Sequence, residues 1–249
     1  TSDSGYAFTG TTNSNDVHVT GLHGSNDLWF VKLDINGNLS WQRCLGGGNY
    51  DEGWSILETD DKGFIIAGNS SSYNGDVVGL HGGDDYWIVK LDSSGTIQWS
   101  KCFGGTMLDQ SSCIVKDGNG GYTILGRTSS NNGDVAGIHP GGTINYPAFD
   151  FWLINIDSIG NLQWQKCIGG SRDEYGASLE RTIDNGYILA GTANSTDGDV
   201  TNIHPGTSFG IQTMDMWVVK TDASGNIEWE KCFGGSSADF ASKVVQTPD

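Results

Sequence analysis

Short runs of β-branched and aromatic residues, five to eight long, recur along this chain with glycine, aspartate and asparagine between them. No 3.6-residue period competes with them, so the pattern predicts strands and turns throughout. Some runs are apolar without a break, as in Trp87-Ile-Val and Trp217-Val-Val. A strand covered on both faces has that character, whereas a half-exposed one alternates.

The runs belong to a fourfold repeat. Trp41-Gln-Arg-Cys44-Leu-Gly-Gly47 returns as Trp99-Ser-Lys-Cys102-Phe-Gly-Gly105, Trp164-Gln-Lys-Cys167-Ile-Gly-Gly170 and Trp229-Glu-Lys-Cys232-Phe-Gly-Gly235. Asp27-Leu-Trp29, Asp85-Tyr-Trp87, Asp150-Phe-Trp152 and Asp215-Met-Trp217 return in the same order. The units span residues 1–58, 59–116, 117–181 and 182–246, within one expected domain of 249 residues. Each unit predicts four strands, A to D. Strand A is Trp54–Thr59 with copies at Ser112–Asp117, Ala177–Thr182 and Ser242–Thr247. Strand B starts at Gly5-Tyr6, Gly63-Phe64, Gly121-Tyr122 and Gly186-Tyr187, strand C is Leu28–Leu33 and its copies, and strand D carries Trp-x-Lys-Cys. Turns such as Asp61-Lys-Gly63 and Asp34-x-x-Gly37 join A to B and C to D, with aspartate opening the turn and glycine taking the positive-φ position.

Units of about 60 residues with four strands each predict an all-β propeller of four blades, because stacked blades cover their neighbours' faces. The chain opens on a strand B and ends on a strand A, so Ser242–Thr247 is expected to complete the first blade. The competing expectation is a four-repeat slice of a larger propeller.

Composition narrows the function. There are 13 Lys+Arg against 30 Asp+Glu, a formal charge of −17. Binding by counterion release needs clustered basic residues, so nucleic acid and anionic membrane are not expected partners. No run of 18 or more apolar residues is present, which argues against membrane insertion by a helix. The acids are 24 Asp and 6 Glu; aspartate hydrogen-bonds its own backbone in turns, so the bias reports turns first and oxygen-ligand cation sites second.

The pattern Asp-x-Gly-Tyr, Ala-Gly-x-Thr, Gly-Asp-Val, Asp-x-Trp-Val-Val-Lys-x-Asp-x-x-Gly-Asn-Ile-x-Trp-x-Lys-Cys-x-Gly-Gly, clearest over residues 184–235, resembles repeats of large secreted or surface-attached Bacteroidetes proteins. The resemblance runs the length of the chain. It implies a β-propeller and an extracellular or cell-surface address, often as cargo of type IX secretion, and assigns no activity.

Several groups are candidates for chemistry. The five cysteines sit at repeat-equivalent positions or, for Cys113, where sister strands have serine; all five are expected as small buried hydrophobes, with a Cys102–Cys113 bridge the alternative. No pairing with zinc-ligand spacing occurs. A Gly-Asp-Val…His…Asp-x-Trp constellation recurs as Asp16/His23/Asp27, Asp76/His81/Asp85, Asp134/His139/Asp150 and Asp199/His204/Asp215. A feature present in every blade usually builds the blade, so a network fixing each B–C loop is expected over a polar ligand site. Asp34-x-Asn36-Gly37-Asn38 brushes against a calcium loop but lacks the distal glutamate, and it repeats as a turn.

Departures from symmetry point better to function. From the Gly-Asp-Val aspartate to the Asp-x-Trp aspartate the spacing is 11, 9, 16 and 16, so the third and fourth units carry longer B–C loops. Pro140, Pro147 and Pro205 stiffen these loops. Tyr146, Phe149 and Phe209 are expected as stacking platforms, with Asn145, Asp134 and Asp199 as polar partners beside His139 and His204. An aromatic-plus-amide rim suits carbohydrate or peptide. Carboxylates on the D–A loops (Asp51/Glu52, Asp109, Asp173/Glu174, Asp239) recur in each unit, which counts against a catalytic pair.

The expectation is a non-catalytic binding, adhesion or scaffold module, with a glycan or a surface protein as partner, or copies of itself in an extracellular assembly. The alternative is a propeller-fold polysaccharide lyase or glycoside hydrolase using His139 or His204 as base. No cofactor is expected; Ca²⁺ dependence is a separate hypothesis resting on the aspartate content.

Overall fold

The computed structural model describes residues 1–143, 146–204, 207–208 and 211–248, and every regular element among them is a β-strand. Four antiparallel sheets follow one another along the chain, one per repeat, in the manner of propeller blades. Contacts divide the chain into two compact units, Thr1–Ile114 and Val115–Asp249.

In the first unit, β1 (Tyr6–Thr12), β2 (Asp27–Leu33) and β3 (Leu39–Leu45) form a three-stranded sheet. Next come β4 (Asp51–Glu58), β5 (Phe64–Ser70), β6 (Asp85–Leu91) and β7 (Ile97–Phe103), paired in that order. Strand A thus begins at Asp51, three residues before the run that the hydrophobic pattern predicts. Within it Gly53 pairs with Gly68 and Ser55 with Ala67, so Trp54 is a bulge residue and is 59% exposed. Leu28, Phe30, Phe64, Ile66, Trp87 and Leu91 make one buried cluster. Phe30 stacks on Trp41 at 4.8 Å and tilts against Phe64 at 4.9 Å, so aromatic rings weld the two sheets. Each such buried side chain is worth about 1.5–3 kcal/mol.

The chain leaves the first unit within β8 (Asp109–Lys116). β9 (Tyr122–Thr128), β12 (Asp150–Ile156) and β13 (Leu162–Ile168) belong to the third sheet, ordered β13-β12-β9-β8. Between β9 and β12 lies a small hairpin, β10 (Gly142–Thr143) with β11 (Tyr146–Pro147). The fourth sheet is β14 (Glu174–Arg181), β15 (Tyr187–Ala193), β18 (Asp215–Thr221) and β19 (Ile227–Phe233), with β16 (Thr207–Ser208) and β17 (Ile211–Gln212) as its counterpart hairpin. Phe151 packs on Trp217 at 4.8 Å, and Trp152 and Trp217 are fully buried.

The C–D turns take the expected form. Asp34 accepts backbone N–H groups of Asn36 and Asn38 at 2.8 Å each on Oδ1, and Asn38 Nδ2–H on Oδ2. The same bonds recur at Asp157 and Asp222. Both oxygens are spent on N–H donors, which makes this a turn and not a cation loop. Gly225 (φ +76°) closes the fourth turn, and a Cβ there would lie 2.8 Å from the Trp164 ring.

One expectation is corrected. The first sheet has three strands, and Ser242–Thr247 is not a strand completing it. The segment lies beside β14 instead: Val244 N–H donates to Ser178 Oγ (3.2 Å) and Gln246 N–H to Glu180 Oε2 (3.1 Å). Ile114 N–H donates to Ser55 Oγ (3.3 Å) in the same way, so the tail lies beside its preceding repeat at a strand-A place, without ladder pairing among the described residues. β1 is correspondingly an edge, with Tyr6 and Phe8 exposed. All five cysteines are free thiols, so Cys102 and Cys113 are not bridged; Cys44 and Cys102 are buried as expected, whereas Cys113, Cys167 and Cys232 are only half-buried. Burial first, then nearby acid, pushes the Cys44 thiol up to about 11.

Candidate functional site

The histidine constellation resolves into a clamp. In each repeat the first aspartate of strand C is fully buried and one of its oxygens takes two bonds from the histidine at the end of the B–C loop. For His139 and Asp150 these are the backbone N–H at 2.9 Å and Nδ1–H at 2.8 Å; for His204 and Asp215 both are 2.7 Å. His23/Asp27 and His81/Asp85 repeat the geometry. The following tryptophan indole N–H is also satisfied, by Gln42, Ser100, Gln165 or Glu230 on strand D.

The Gly-Asp-Val segment serves the preceding repeat. Asp76 Oδ2 accepts Gly46 N–H and Asp76 N–H donates to Gly46 O, while Asn74 Oδ1 takes Gly48 N–H and Ser72 Oγ takes Asn49 N–H. In the second unit Asp199, Asp197 and Ser195 hold Gly169, Ser171 and Arg172 identically. These polar residues are spent on backbone that would otherwise be unsatisfied. His139 Nε2 lies 3.7 Å from Asp199 Oδ2, so two expected site residues do meet. Burial opposes a charge on His139, but Asp150, Asp199 and Glu174 outweigh it and raise its pKa.

A second buried acid stands beside three of the four clamps. Asp51, Asp109 and Glu174, placed in loops by the sequence pattern, are the buried first residues of β4, β8 and β14. Each accepts a glycine N–H four residues upstream, from Gly47, Gly105 or Gly170. A Cβ on Gly169 would sit 2.6 Å from Asp150 Oδ1 and 2.7 Å from Glu174 Oε2, so the two carboxylates converge where only glycine fits. Asp85, Asp150 and Asp215 each leave Oδ1 buried without a hydrogen-bond partner. Burial pushes Asp85 and Asp150 up to about 6 and Glu174 up to about 7, against the opposing pull of their hydrogen bonds.

The long-loop residues have separate fates. Asp134 is half-buried at a turn, and Tyr146 pairs with Thr143 in the β10–β11 hairpin. Asn145 and Phe209 lie outside the described residues. Phe149 is not a bare platform: Arg127 covers its ring at 4.6 Å and the Tyr175 ring at 4.7 Å, with the two rings 5.9 Å apart. Its N–H donates to Asp173.

Positions equivalent to that stack form an open cavity in the first unit. Asn69, Asp84 and Gln110 stand where the third repeat has Arg127, Phe149 and Tyr175. With Tyr50, Glu52 and Ser71 they line about 300 Å³. Gln110 Nε2–H donates to Asp84 Oδ2 at 2.8 Å, and buried Asn69 is fixed by Ser111 N–H at 2.7 Å. Glu52 is half-buried, and its carboxylate has no hydrogen-bond partner among the described residues. Tyr50 is 56% exposed at the rim, and Tyr73 on the B–C loop is exposed, its hydroxyl donating to Gly82 O. The sequence pattern missed this site because attention went to the long B–C loops, whereas Glu52, Asn69 and Gln110 stand on β4, β5 and β8; aligning the units position by position would have found it. Among the described residues no cluster of three or more His, Cys, Asp or Glu is placed to hold a metal ion, and no helix is long and apolar enough to cross a membrane.

Fold and repeat geometry define an all-β repeat protein built of propeller-type blades. No family model and no curated protein matches the chain. Among solved structures it is similar to a protein of unknown function from Bacteroides caccae, 13% identical, covering 86% of this chain and 80% of that one with a TM-score of 0.31.

Proposed function

We propose that this protein is a non-catalytic carbohydrate-binding module of an extracellular β-propeller repeat protein, and that the glycan is held at the cavity of Tyr50, Glu52, Asn69, Ser71, Asp84 and Gln110. The observation that carries the reading is the contrast between equivalent positions. A polar cavity rimmed by an exposed tyrosine is kept open in the first unit, while the second unit fills the same place with an arginine between two aromatic rings. Aromatic faces suit the apolar face of a pyranose, and carboxylate and amide groups suit its hydroxyls. The acidic surface and the repeat resemblance support the extracellular setting. The histidine–aspartate pairs support binding over catalysis, since all four repeats carry them as loop clamps.

The test is a glycan array with the 249-residue chain, with calcium and with chelator, followed by calorimetry on the best ligand. Tyr50→Ala and Glu52→Gln should each weaken binding about tenfold or more. A blank array in both conditions, or a ligand indifferent to both substitutions, refutes the site. One observation favours a second reading: Glu52 and Asp84 place two carboxylates in one cavity, the minimum for glycoside hydrolysis. Release of reducing ends by the wild type and not by Glu52→Gln would decide for it.

A further inference from the structure

Three repeats carry a lysine near the end of strand C whose ammonium is buried. Lys32, Lys90 and Lys220 pair with the A–B turn aspartates Asp3, Asp61 and Asp184 at 2.8–3.0 Å and donate to the next carbonyl, Leu33 O, Leu91 O or Thr221 O. The third repeat has Asn155 at this position. Its amide reaches Thr123 Oγ at 3.0 Å, Tyr122 O at 3.2 Å and Asp117 Oδ2 at 3.3 Å, but it is shorter than lysine and neutral.

A cavity of about 290 Å³ opens there, lined by Asp117, Asn119, Asn155, Trp164, Arg181 and Asn185 among others. Asp117 Oδ1 accepts the N–H groups of Asn119 and Gly121, while Oδ2 has only the long bond from Asn155. Arg181, at the end of β14, is the one cation among the lining residues. It is held in place: Nη2–H donates to Asn185 Oδ1, and the guanidinium lies on Gly118 (φ +84°), where a Cβ would come within 2.4 Å of Cζ. Its Nε–H is buried with no hydrogen-bond partner.

A fixed guanidinium with unused N–H groups recognises a planar carboxylate through two parallel bonds. Asp117 Oδ2 and the amides of Asn119, Asn155 and Asn185 are suited to hydroxyls, and the Trp164 indole supplies an apolar wall. Asp117 disfavours a dianion such as phosphate, and a single arginine suits a single negative charge. The volume lies at the low end of small-molecule sites, about 300–1,000 Å³, which fits one sugar unit and not a chain. We infer that this cavity binds a polyhydroxylated monocarboxylate, a uronic acid, through Arg181. The site stands apart from the cavity of the first unit and does not rest on the function proposed for it.

Trp164 lines the cavity, so its fluorescence reports occupancy alongside calorimetry. The intact chain is titrated with galacturonate and glucuronate, and in parallel with galactose, glucose and acetate. Saturable binding of a uronate is expected, with its neutral counterpart and acetate at least about tenfold weaker. Arg181→Gln should lower affinity by about tenfold or more. Asn155→Lys restores the side chain of the other three repeats, so it should fold, melt no lower than wild type, and lose uronate binding. Absence of saturable binding of either uronate, equal binding of the neutral sugars, or uronate binding undiminished in Asn155→Lys overturns the inference. Should Arg181→Gln fail to fold, Asn155→Lys decides alone.

Discussion

Asp85 offers the sharpest test of how the repeats are held together. It is fully buried, its Oδ2 takes two bonds from His81, and its Oδ1 has no partner. A Cβ on Gly104 would meet that Oδ1 at 2.7 Å and Asp109 Oδ2 at 2.6 Å, so a second carboxylate faces the same spot. Burial raises the Asp85 pKa from 3.8 to about 6. Between those values the folded protein holds a proton that the unfolded chain releases, so this group's contribution to stability falls as pH rises through the window. The loss is about 3 kcal/mol, complete above the folded-state pKa. Asp85→Asn is neutral at every pH, keeps an oxygen for His81 and turns an N–H towards Asp109. Relative to wild type it should therefore gain about 3 kcal/mol between roughly pH 4 and pH 8. Urea denaturation of both proteins across that range measures the difference, in which the other titrating groups cancel. A gap that stays constant with pH, or that turns against the variant as pH rises, would show that the buried carboxylate is needed in its charged form.

Other outcomes follow from the same geometry. Raised carboxyls at Asp150 (about 6) and Glu174 (about 7), and the raised His139, all lose stability as pH climbs, whereas Asp61 (about 2, held down first by its bond from Lys90) loses it as pH falls below the usual carboxylate range. The melting temperature should therefore peak in mild acid, between about pH 4 and 6; a melt still rising at pH 8 contradicts these assignments. Gly225→Ala combines a left-handed φ with a ring contact at 2.8 Å, and should cost about 1–3 kcal/mol in urea. Arg127→Ala removes the cation between Phe149 and Tyr175, for a loss of about 1–2 kcal/mol by the same assay. Chelator should leave the melting temperature unchanged, because the Asp34-type carboxylates are fully engaged by N–H donors; a clear drop would reopen the calcium hypothesis.

Most strands and the C–D turns were legible because period-two and apolar runs bounded by Asp-x-x-Gly admit one local structure; in the A–B turns the positive φ falls on Ser4, Lys62 and Asn185, one residue before the glycine expected to carry it. The histidine clamp was legible too, since a feature present in every unit usually builds the unit, and the histidine–aspartate bonds recur in all four. Burial of Asp51, Asp109 and Glu174 was not: a lone acid before an apolar run looks like a loop residue until the chain turns a glycine N–H four residues upstream onto it and a different strand brings the second carboxylate. Loop length drew attention to Phe149, yet its ring is packed against Arg127 and Tyr175, which come from β9 and β14. The reading of Ser242–Thr247 as a strand did not hold: its side-chain pattern matches strand A, but a strand needs a ladder partner, and the pattern does not say where one stands.

The bonds by which one repeat holds the Gly-Gly turn of its predecessor have a genetic consequence. Asn74 and Asp197 differ, as do Gly48 and Ser171, yet the same bond forms, because the acceptor recognises a main-chain N–H and is blind to the side chain that carries it. A substitution at either of these positions therefore needs no matching change in the neighbouring copy for this bond to form, so drift in sequence is tolerated at the main-chain part of the joint, while the aromatic packing between sheets still couples one copy to the next.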